Sequence, residues 1–148
     1  DAEGRLILAD AVAYAARLGA RAIVDVATLT GAVGIALGDV YSGLISNDDK
    51  LIERLQAAAA EAGERYWRLP SDEEYKERYK SDVADIKNTG GRLGGAITGG
   101  LIIGEFAGKT PWAHLDIAAT AFTDKERHGQ PKGATGVAVR TLAALACM

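Results

Sequence analysis

The chain has 148 residues, 48% of them apolar, a net charge of −3 and a single cysteine. That length and apolar share suffice for one domain with its own core. The mixed charges leave neither a basic stripe for nucleic acid nor a polyanionic tail. Cys147 has no partner for an internal disulfide, which points to a reducing compartment, the cytoplasm. No apolar run nears the ~20 residues of a membrane span.

The chain opens on Asp1-Ala2-Glu3-Gly4-Arg5, two carboxylates and a guanidinium in five residues. In an extended backbone Asp1 and Glu3 face the same way, and Gly4 permits a sharp turn after them, which makes half of a divalent-metal site. The competing reading is a helix start, where acidic residues complement the positive end of the dipole. Leu6 to Leu18 then carries Leu8, Val12, Ala15 and Leu18 on roughly one helical face, with Gly19 as the stop.

Ala22 to Ala27 is a short, β-branched apolar run of the kind buried on both faces of a parallel sheet. Tyr41 to Ser46 reads as a second strand, after which Asn47 or Asp48 caps a helix through Leu51 and Leu55 to Ala62. The charged stretch Asp72 to Lys80 reads as a short amphipathic helix with Tyr75 and Tyr79 on one face. A glycine-rich loop, Asn88 to Gly95, opens onto the apolar Ala96 to Phe106, a buried helix. Trp112 to Ala118 reads as another strand and Gly136 to Ala146 as a closing helix. This alternation, without repeats or a linker, predicts a single α/β domain in three layers, a mostly parallel sheet flanked by helices.

In such sheets ligands lie beyond the carboxyl ends of the strands. That rule selects two small, hydroxyl-bearing loops, Thr28-Leu29-Thr30-Gly31 and Ala118-Ala119-Thr120-Ala121. His114 and Asp116, two apart on a strand, form either a ligand pair or relay, or polar groups satisfied inside the fold; the second reading is favoured for His114. His128 lies in a polar loop and reads as solvated. Gly104 to Thr110 ends in Gly-Lys-Thr but has three residues between its glycines where a phosphate loop needs four, and Pro111 follows where a helix should begin. The glycines from Gly90 to Gly100 are better explained by close packing than by anion binding, so a nucleotide-binding domain is the least favoured reading.

Asp1-Ala2-Glu3-Gly4-Arg5-Leu6 closely resembles the signature of the leucyl aminopeptidase family, the M17 cytosol aminopeptidases. Four further blocks resemble the family in the same order: Asp25 to Ala32, Ser81 to Asn88, Trp112 to Ala118, and Lys132 to Leu142. The resemblance implies that the chain is the C-terminal part of a catalytic domain, starting within the active site, from a cytoplasmic enzyme that releases leucine and similar residues from peptide N-termini. It also implies two divalent metals, zinc or manganese with magnesium as a third option, one ligated by Asp1 and both bridged by Glu3. Arg5 would hold a bicarbonate ion, for which a planar, permanently charged fork is suited. In the matching loop Thr28-Leu29-Thr30-Gly31 the Leu29 carbonyl would receive the substrate amine, Thr28 and Gly31 would border the first side-chain pocket, and Ala118 and Ala121 would line that same pocket. Ala119 stands where many relatives have glycine.

The family's remaining metal ligands and a catalytic lysine precede this segment, so the isolated chain is expected to be inactive. Peptides and a homo-hexamer are the partners implied, with no nucleic acid or membrane. The alternative is a non-catalytic folding and assembly module of the same family.

Overall fold

A computed structural model describes residues 2–126 and 130–148. Helix α1 runs Ala2–Arg17, strand β1 Ile23–Ala27, helix α2 Gly31–Leu37 and strand β2 Ser42–Ser46. Helix α3 (Asp49–Ala62) and the short strand β3 (Tyr66–Arg68) follow. A 3₁₀ helix (Glu73–Tyr79) leads to helix α4 (Gly95–Gly104), which tightens into a 3₁₀ turn at Glu105–Ala107. Strand β4 (Trp112–Asp116), the two-residue strands β5 (Phe122–Thr123) and β6 (Gly133–Ala134), and helix α5 (Val139–Cys147) complete the chain.

The main sheet has the order β1-β4-β2-β3. β1 pairs parallel with β4 and β2 parallel with β3, but β2 and β4 meet antiparallel, so a mostly parallel sheet contains one reversal. Successive side chains point to opposite faces of a strand, and the core divides accordingly. Ile23, Ile45 and Trp112 enter one apolar cluster with Val12 of α1, Val33 of α2 and Ile103 of α4. Leu44, Ala113 and Leu115 enter the other with Leu51, Ile52 and Leu55 of α3 and Leu145 of α5. The three predicted layers are therefore present.

Local chemistry explains most element starts. Thr30 caps α2 by accepting from the Val33 N–H at 3.2 Å, and Asp48 caps α3 by accepting from the Leu51 N–H at 2.7 Å. Gly63 ends α3 in the left-handed conformation, φ 68°, that an L residue adopts at a cost. Several expectations need correction. The opening residues are helical from Ala2, not extended with a turn at Gly4. A single glycine costs a helix only ~1 kcal/mol, and Asn88 anchors this end by donating from Nδ2 to the Ala2 carbonyl at 2.5 Å. The Asp72–Lys80 segment is 3₁₀, with Tyr79 buried and Tyr75 half-buried. Helix α2 and strands β3, β5 and β6 were not anticipated. α2 is seven residues of small and apolar type without a distinguishing period, and the strands are too short to show alternation.

The glycines of α4 pack closely, as expected. A Cβ at Gly104 would lie 2.7, 3.1 and 3.2 Å from three ring atoms of Trp112, which is 1% exposed. The ring is also pinned by its Nε1–H, which donates to Asp25 Oδ2 at 2.7 Å, so it has little freedom to retreat. Gly104→Ala should therefore destabilise the fold by about 2 kcal/mol, overpacking outweighing the gain in helix propensity. Urea unfolding measures this; an unchanged midpoint would show that the helix shifts without cost.

Candidate active site

α1 and β1 are joined by only five residues, so the helix runs back along the sheet and returns its first turns to the carboxyl end of β1. β1 and β4 are parallel and in register, Ala27 opposite Asp116, and both candidate loops consequently leave the sheet side by side at that same end. α4 lies over them. A Cβ on Gly99 would sit 3.0 Å from Thr30 Cγ2, 3.5 Å from Leu29 Cδ2 and 3.5 Å from Arg5 Nε. Arg5 and the Leu29–Thr30 loop thus converge on one glycine, although 24 residues separate Arg5 from Leu29 in the sequence.

Arg5 is half-buried. One terminal nitrogen donates to the Asn88 carbonyl at 2.7 Å, while Nε–H is buried without a partner among the described residues. An unpaired buried donor on a guanidinium is costly and calls for an acceptor. Glu3 is exposed in the first turn of α1. Residues two apart on a helix are about 200° apart around its axis, so Glu3 does not share the inward face of Arg5. Asp1 lies outside the described residues, as does His128.

The second loop is held by its surroundings. Ala118 donates its N–H to Asp116 Oδ1 at 3.2 Å, and Thr120 and Ala121 donate back to the Ile117 carbonyl. The Thr120 hydroxyl pairs with that of Ser42 at 2.6 Å, and Thr135 donates its hydroxyl to the Thr120 carbonyl at 2.7 Å. Ala119 turns its methyl towards α2, where a Cβ at Gly34 would come within 3.1 Å of it. Thr28 and Gly31 are exposed and Leu29 and Thr30 buried, while Ala118 and Ala121 are half-buried.

His114 and Asp116 share a face of β4 but do not act together. Fully buried His114 pairs through Nδ1 with Asp25 Oδ1 at 2.5 Å, with Asp25 also accepting from Trp112, while its Nε2 is buried without a partner among the described residues; the histidine is satisfied on one side only. Asp116 instead accepts from the Leu29 N–H (3.1 Å), the Thr30 N–H (3.4 Å) and the Thr30 hydroxyl (2.6 Å). Three contributors were not singled out from sequence: Gly99, Asn88 and the loop-binding role of Asp116. The rule placing ligands at strand carboxyl ends marks the position of Asp116 but not its partners.

Residues 1–143 match the model of the cytosol aminopeptidase family, catalytic domain. The chain belongs to that family. It is 57% identical over 146 residues to a protein named "Probable cytosol aminopeptidase" from Alkaliphilus metalliredigens, covering 99% of this chain and 29% of that protein. A protein of the same name from Solibacter usitatus is 58% identical, with 99% and 30% covered. Among solved structures, a tomato leucine aminopeptidase mutant superposes with a TM-score of 0.91 at 45% identity, covering 98% of this chain and 28% of that one. The bottromycin maturation enzyme BotP in complex with Mn gives 0.90 at 42% identity, with 97% and 32% covered. The chain thus spans just under a third of the length of these cytosol aminopeptidases.

The residues present fit part of what a metal-dependent member of the family requires. The orphaned Arg5 Nε–H is a charged donor that suits a small oxyanion. Glu3 supplies an exposed carboxylate, but no group of three or more His, Cys, Asp or Glu converges among the described residues. Among the described residues, no helix is long and apolar enough to cross a membrane.

Proposed function

We propose that the chain is the C-terminal portion of the catalytic domain of a binuclear metal-dependent aminopeptidase that releases leucine and similar residues from peptide N-termini. The observation carrying this reading is the meeting of Arg5 and the Leu29–Thr30 loop at Gly99 within a chain of this family. Asp1 and Glu3 would hold the metals, zinc, manganese or magnesium, Glu3 as the bridge. Two metals close together supply Lewis acidity to the scissile carbonyl and lower the pKa of water.

The chain's own groups have distinct tasks. Arg5 would hold bicarbonate through its unpaired Nε–H, steadied by the Asn88 carbonyl, placing an anion where protons must move. Within the Thr28–Gly31 loop, which includes Thr30, Leu29 would accept the substrate ammonium through its carbonyl, and Thr28 and Gly31 would border the side-chain pocket that Ala118 and Ala121 line. Ala119 packs its methyl against Gly34 of α2. A cytoplasmic homo-hexamer is the proposed assembly.

The chain by itself would be inactive, because it gathers no complete ligand set among the described residues; the alternative is a non-catalytic folding and assembly module of the same family. Metal affinity depends on the full, ordered set. The purified chain with manganese or zinc should release no leucine from leucine amide and should bind metal weakly, whereas the full-length enzyme carrying it should turn the substrate over. Release of leucine by the chain alone would refute the division of labour, and an inactive full-length enzyme would refute the peptidase reading.

A further inference from the structure

We infer that Asp116 is a positioning residue for substrate recognition: one buried carboxylate sets the orientation of the Leu29 peptide and ties that loop to the Ala118 turn. The inference rests on the peptidase reading above, in which those two loops receive the substrate amine and its side chain. Asp116 is 1% exposed at the carboxyl end of β4, opposite Ala27 of β1, so its side chain meets the chain just as it leaves β1. Oδ1 accepts from the N–H groups of Leu29, Thr30 and Ala118 at 3.1, 3.4 and 3.2 Å, and Oδ2 from the Thr30 hydroxyl at 2.6 Å. Three of the four donors crowd onto Oδ1 and the fourth holds Oδ2, so the carboxylate is oriented by the two loops.

The consequence follows from peptide geometry. In a planar trans peptide the N–H and C=O point in opposite directions. Aiming the Thr30 N–H at Asp116 therefore turns the Leu29 carbonyl of the same peptide away from the core. A charged acceptor on the N–H also polarises that peptide, making its carbonyl the better acceptor for an ammonium group. Thr30 reinforces the arrangement, because the hydroxyl that donates to Asp116 also accepts from Val33 N–H and so links the loop to the start of α2. An asparagine here keeps the shape but loses the charge and turns an NH₂ towards donors.

The test uses the full-length enzyme that carries this chain. Asp116→Asn should raise KM for leucine amide by about tenfold while kcat stays within about threefold, the signature of lost ground-state binding. Thr30→Val should shift KM in the same direction, and Thr30→Ser, which keeps both hydroxyl contacts, should restore it. Amide exchange at Leu29, Thr30 and Ala118 should accelerate in Asp116→Asn while β2 stays protected. Unchanged KM in both Asp116→Asn and Thr30→Val overturns the inference even if exchange accelerates, since Asp116 would then be structural only. Unchanged exchange at the three amides overturns it as well. A wild-type enzyme that releases no leucine instead overturns the peptidase reading, and with it the recognition role of Asp116, while exchange separately reports whether Asp116 holds the loops.

Discussion

Glu3→Ala in the full-length enzyme is expected, on the proposed reading in which Glu3 would hold both metals, to lower kcat/KM for leucine release by roughly a thousandfold or more and to strip metal from the protein. The structure separates this loss from a folding defect. Glu3 is exposed in the first turn of α1, where removing an acidic side chain costs the helix only about 0.3–1 kcal/mol. With both proteins freed of metal, the variant should therefore unfold at nearly the wild-type temperature. Glu3→Gln provides the control, since it preserves size but supplies a neutral amide that bridges cations poorly. Steady-state kinetics with leucine amide and metal content by mass spectrometry decide the matter. Activity and metal content both within threefold of wild type would remove Glu3 from the metal site.

The largest expected effect on stability lies on the opposite side of the sheet. Glu64, with its side chain 4% exposed, gathers three donors on Oε2: the Tyr66 hydroxyl at 3.0 Å, the Ala138 N–H at 3.0 Å and the Thr141 hydroxyl at 2.6 Å. Burial and the neighbouring carboxylate push the Tyr66 hydroxyl well above its usual pKa, so it remains a donor throughout the ordinary pH range. Ala138 has φ 76°, the only positive value among the described non-glycine residues, and Glu64 grips the N–H of that residue where α5 begins. A carboxylate there also complements the positive end of the helix.

Glu64→Ala would leave three buried donors without an acceptor and should cost about 3–5 kcal/mol. Glu64→Gln keeps a carbonyl oxygen in place and should cost about 1 kcal/mol. Chemical unfolding of the two variants measures the difference, and near-equal losses would show that charge at the helix end, not acceptor geometry, stabilises α5. The alanine variant should also loosen the Ala118–Ala121 turn, which Thr135 of the same C-terminal segment holds through the Thr120 carbonyl.

Local signals carried much of this fold. Asp48 before the Leu51 and Leu55 pattern, the β-branched run at Ile23 and the apolar stretch after the Gly94-Gly95 pair each state their element within a few residues, because caps, turns and buried periodicity act at short range. The reversal between β2 and β4 was not legible. Strand direction depends on where a connection crosses the sheet, and an apolar strand looks alike either way. Nor was the helical start at Ala2, since Gly4 and flanking charges suit a turn as well as a helix and the deciding bond comes from Asn88.

By itself, then, the sequence determined the family and the α/β layering, since ordered blocks and local periodicity are properties of the chain alone. Only the tertiary structure decided which residues meet. Arg5 and Leu29 come together because Gly99 of a third element has no side chain to keep them apart. His114 and Asp116, indistinguishable as a pair on one strand, take separate roles because one meets Asp25 and the other meets the loop leaving β1. A buried polar group acquires its role from the partners that satisfy it, and those partners are far away in sequence.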